Sequence, residues 1–140
     1  MLNMIEMTYE EQIIQFLNSH IQNLMISKES SDFPKKVDRH IDRTNKIHSI
    51  IKNQRPEDYR QLIEYLHSES RKIGWSYPEN IIEENCEDSF RQLWNSMKNL
   101  IVGMTGNERL YFFGYIKDYD KLSLNLKSAR NEIRLKLFMD

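Results

Sequence analysis

The sequence predicts an all-α bundle of about five helices that ends in one long C-terminal helix. Three observations carry this. Apolar residues recur at steps of three or four in five successive tracts, the spacing of amphipathic helices. Only four glycines and three prolines stand in 140 residues, too few for a turn-rich β fold. In the closing segment, residues 107–140, one unbroken stripe runs through Phe112, Ile116, Tyr119, Leu122, Leu126, Ala129, Ile133 and Leu137.

The elements follow in order. Thr8-Tyr-Glu-Glu11 fits a capping box, since a threonine hydroxyl and a glutamate three residues on can satisfy each other's backbone amides. A first helix starts there, with Ile13, Ile14, Phe16, Leu17, Ile21, Leu24 and Met25 as its apolar face, and ends in the polar run 27–32. Pro34 suits the first turn of a second helix, whose inward line is Val37, Ile41, Thr44, His48 and Ile51. Arg55-Pro-Glu-Asp58 breaks that pattern and opens a third helix carrying Tyr59, Leu62, Ile63, Leu66 and Ile73, with Gly74 as its stop. After the aromatic link Trp75-Ser-Tyr-Pro78, a fourth tract carries Ile81, Ile82, Cys86, Phe90, Leu93, Trp94, Met97, Leu100 and Ile101. An interruption is expected near Cys86 and an end between Gly103 and Gly106, with Asn107 capping the final helix. The competing arrangement is α+β. Leu122, Leu124 and Leu126 alternate with polar residues, as do Ile133, Leu135 and Leu137, so a small antiparallel sheet after residue 107 is the alternative.

A chain this long reads as one domain, 1–140, that buries about two-thirds of its unfolded surface without staples. Residues 1–7 read as a flexible tail. Cys86 is the sole cysteine, which excludes an intrachain disulfide and suits a cytoplasmic location. No apolar run approaches membrane-spanning length, so no membrane association is expected. One alanine among many isoleucines and asparagines is the bias of A/T-rich codons, pointing to a low-GC bacterium or its phage.

Net charge is −1, but the charges are unevenly placed. Lys35, Lys36, Arg39, Arg43 and Lys46 make a basic ridge on the second helix, a candidate track for nucleic-acid phosphates. Glu79, Glu83, Glu84, Glu87 and Asp88 make an acidic stretch with no cation between Pro78 and Phe90. Trp75 and Tyr77 join them as candidate interface anchors, because Trp and Tyr dominate binding hot spots.

Convergent catalytic chemistry is not apparent. Glu64-x-x-His67 has the spacing of a di-iron motif but no second copy, so the two read as a surface pair and no metal or cofactor is expected. Cys86 lies among Glu84, Glu87 and Asp88, whose charges oppose a thiolate. Arg43-Thr-Asn-Lys-Ile-His48 has the Arg-x4-His spacing of the HEPN family of small helical ribonucleases, which this chain resembles in size and class. That resemblance implies an RNA-cleaving pair, Arg43 and His48, in a cleft formed by dimerisation, although the family's motif sits on a late helix and this one lies mid-chain.

The expected function is therefore a non-catalytic cytosolic protein-binding module, most concretely a bacterial immunity protein or antitoxin neutralising a toxin. A nucleic-acid binder and a HEPN-like ribonuclease are the alternatives. The nearly all-round apolar start of the last segment, from Leu110 to Ile116, leaves room for a homodimer.

Overall fold

A computed structural model describes residues 7–29, 34–51, 54–74, 81–122 and 127–139, with no description of the Pro34 and Lys36 side chains. These residues are 87% helical, in seven helices and no strand: α1 (Tyr9–Glu29), α2 (Pro34–Ile50), α3 (Pro56–Gly74), α4 (Ile81–Val102), α5 (Gly106–Phe112), α6 (Ile116–Lys121) and α7 (Lys127–Lys136). The all-α class stands, and no sheet forms among the described residues. Trp75, Tyr77, Glu79, Leu124, Leu126 and nearly all of the expected 1–7 tail lie outside them.

Helices α1 to α4 form the main bundle. The Thr8 hydroxyl accepts from the Glu11 amide at 3.1 Å, as the capping signature requires. α1 packs most extensively on α2 and α4, running antiparallel to α4, as the contact of His20 with Ser89 and of Leu24 with Cys86 shows. α4 is continuous through Cys86, where the sequence predicts an interruption: Cys86 is fully buried beside Leu24 and Val37, and a buried, small side chain supports the helix there.

The single closing helix does not form. Three helices stand in its place, and the break comes from Gly114, whose φ of +72° is the left-handed conformation that ends a helix. Its amide donates to the Tyr111 carbonyl at 3.2 Å and the Tyr115 amide to the Leu110 carbonyl at 2.8 Å, a Schellman motif, with Leu110 and Tyr115 both buried. The helix also begins earlier than the sequence predicts. Thr105, not Asn107, is the N-cap, in a reciprocal capping box with Glu108. A second Schellman motif ends α7, with Phe138 at φ +56° and Met139 donating to Arg134.

Arg109 holds this region to the bundle. Its guanidinium donates to the carbonyls of Val102 and Met104 after α4 and of Leu137 and Phe138 after α7, at 2.9 to 3.2 Å. Helix ends leave carbonyls without intrahelical partners, and one planar fork satisfies four of them.

Candidate functional site

The main bundle is divided by a polar layer. The large apolar cluster holds Leu17, Ile47, Leu66, Phe90 and Met97 with many others, while Leu24, Val37 and Cys86 form a separate small one. Between them each helix contributes buried polar groups: His20 from α1, Thr44 from α2, Glu69 from α3, and Glu87 and Ser89 from α4, with His40 half-buried beside them. Sequence periodicity missed His20 because it gave Ile21 and Met25 an inward role. Ile21 is only partly buried and Met25 is exposed, and the stripe is Ile13, Leu17, His20 and Leu24.

The layer is wired for neutral imidazole. Ser89 Oγ accepts from the Asn23 amide at 3.3 Å and shares a hydrogen bond of 2.6 Å with His20 Nδ1. Burial, and then the neighbouring His40, push His20 down to about 4. His40 is lowered too, chiefly by burial and then by Arg43, against the opposing pull of Glu83, Glu87 and Glu69. A serine and a histidine at this distance form the outline of a nucleophile and its base. A base held near 4, however, takes a serine proton poorly at neutral pH, so the pair fits a structural role better than acyl transfer. Among the described residues no three His, Cys, Asp or Glu side chains are grouped to hold a metal ion.

The acidic stretch is split by the helix. Glu84 and Asp88 are exposed and Glu83 is half-buried, whereas Glu87 is buried, within 3.8 Å of Arg91, and faces the layer instead of a partner. Asp88 also engages Arg91, at 2.7 Å. Because α1 and α4 are antiparallel, the start of α4 and the end of α1 share one end of the bundle. Met25, Ile26 and Ile81 lie exposed there by 54%, 63% and 64%. Single exposed aliphatics are ordinary; three at the end closed by the smaller apolar cluster are less so.

On α2, Lys35, Arg39, Arg43 and Lys46 are all exposed. Arg43 lies 3.7 Å from Glu69 of α3. His48 is half-buried and lines a different hollow, with Ile14, Asn45, Ser49, Ile51 and Gln54. Arg43 borders the polar layer. One chain therefore does not bring Arg43 and His48 into a common cleft.

Glu64, which is exposed, and His67, which is half-buried, each engage the C-terminal helices. The Glu64 carboxylate accepts from the Tyr115 hydroxyl at 2.8 Å and meets Lys136 at 3.4 Å, contacts that outweigh the upward push of burial and hold it below its ordinary value. His67 contacts the Lys136 carbonyl at 2.7 Å and packs between Trp94 and Phe138. Both residues fasten α3 to the C-terminal helices. A hollow of about 840 Å³ runs between the start of α1 and the end of α4 past Tyr9, Phe16 and Leu100, and Glu10 is the one charged residue among its described lining.

No helix among the described residues is long and apolar enough to cross a membrane. Compared with family models, curated proteins and solved structures, the chain matches none.

Proposed function

We propose that this chain is a cytoplasmic protein-binding module of the immunity-protein or antitoxin kind, with its partner seated on the end of the bundle where α1 finishes and α4 starts. The observation that carries the reading is the exposure of Met25, Ile26 and Ile81 at that end, with the carboxylates of Glu84 and Asp88 nearby on α4. An apolar centre with a charged rim is the anatomy of a protein interface, and acidic rim residues favour a partner that is basic around its own apolar patch. The polar layer supports a binding role over a catalytic one, because its best base is held near 4 and is 4% exposed.

The test is affinity capture from the native host with the wild type and an Ile81→Asp/Glu84→Lys variant, both changes falling on exposed side chains. A defined partner retained by the wild type and lost by the variant is the expected result. Equal capture by both, or none by either, refutes the reading.

A further inference from the structure

The two flanks of α2 differ in charge. On the α1 side, Asp38 reaches Lys28 at 2.8 Å, and Asp42 follows it one turn later, exposed. On the α3 side, Arg43 leans over Glu69, and Lys72 of α3 approaches the same carboxylate at 3.3 Å. Glu69 is only 5% exposed, so it lies beneath these two cations and holds them in place without standing in their row. Lys35, Arg39 and Lys46 have no ion-pair partner among the described residues. A helix rises about 1.5 Å per residue, which spaces Lys35, Arg39, Arg43 and Lys46 by roughly 6, 6 and 4.5 Å along the axis. Tyr65 of α3 lies half-buried in the same seam, sharing a hollow with Arg43 and Glu69.

We propose that the seam between α2 and α3 binds the phosphate backbone of a single-stranded nucleic acid. A row of cations at this spacing offers successive contacts to a linear polyanion, and Lys72 widens it on the α3 side. The carboxylates of Asp38 and Asp42 wall its other side. The second strand of a duplex would lie against that wall, so one strand fits and two do not. This surface is separate from the apolar end and stands or falls independently of the protein partner.

Fluorescence anisotropy with labelled single-stranded DNA and RNA oligonucleotides tests it, alongside the matching duplex and polyglutamate. Neutralising four or five phosphates gives a slope of log affinity against log salt of about −3 for a single strand. Arg39→Glu/Lys46→Glu, two exposed positions whose helicity circular dichroism will check, should weaken binding at least about ten-fold and flatten the slope by about 1.4. Glu84→Lys should leave it unchanged. No binding at about 50 mM salt, a flat slope, or wild-type affinity in a folded double variant overturns the proposal. So does tighter binding of the duplex, and tighter binding of polyglutamate would assign the seam to an acidic protein instead.

Discussion

Acidifying this protein from about pH 7 to about pH 5 should remove roughly 2 kcal/mol of folding stability through His20 alone. The imidazole titrates near its ordinary 6.5 in the unfolded chain but at about 4 in the fold, where burial opposes its charge. The unfolded state therefore takes up the proton first. His20 contributes its full stability above pH 6.5 and loses it progressively as the pH falls toward 4. With about 1.4 kcal/mol for each tenfold change in proton affinity, the difference between folded and unfolded chain is worth about 3 kcal/mol, of which about two-thirds is lost by about pH 5. His40, also lowered, acts in the same direction. Glu64 and Glu108 are held low and lose their contribution only below the ordinary carboxylate value of 4.5, outside this window. Urea unfolding followed by far-UV circular dichroism, on the wild type and His20→Asn at both pH values, isolates the contribution of His20, since the asparagine amide stands where Nδ1 does and can still hydrogen-bond Ser89 but does not titrate. The wild type should lose about 2 kcal/mol more than the variant across the interval. Equal losses, or an NMR titration that places His20 above about 6, would refute the assignment of a neutral, buried imidazole.

Two further outcomes test the C-terminal region. Gly114→Ala puts an L side chain at φ +72° with its Cβ 3.0 Å from the Pro56 backbone, so a loss of about 2 kcal/mol or more is expected in the same unfolding assay; a change under about 0.5 kcal/mol contradicts the left-handed break. Arg109→Ala strips a charged donor from four backbone carbonyls and should destabilise by about 2 kcal/mol, with Arg109→Lys recovering only a minor part because an ammonium cannot reproduce the fork; full rescue by lysine would reduce the role of Arg109 to charge alone.

The first four helices were legible because their boundaries are written in local chemistry: Thr8 as a cap, Pro34 and Pro56 at first helical positions, Gly74 as a final residue. The closing segment misled because periodicity records which face a residue occupies and not whether the axis continues. Phe112 and Ile116 keep helical spacing across Gly114, yet the chain turns between them. In α7 the same spacing resolved correctly, since Ile133 and Leu137 are buried and Leu135 between them is exposed, a four-residue repeat where a strand would align all three. The polar layer was hidden for another reason. His20, Glu69 and Glu87 are inward because they find one another's helices, and a hydrophobic pattern cannot register a polar residue that is buried by its partners. The basic ridge of α2 was visible in the sequence, but Lys72 became part of it only once α3 folded back alongside.

Arg109 carries a consequence for how the molecule opens. Its carbonyl partners lie far apart in sequence, at the exits of α4 and α7, and a single cation sits where the negative ends of both helix dipoles meet. A ten-residue helix is short enough to fray on its own. Tied through that cation, α7 loses its independence, so its amides and those of the last turn of α4 belong to one cooperative unit of hydrogen exchange.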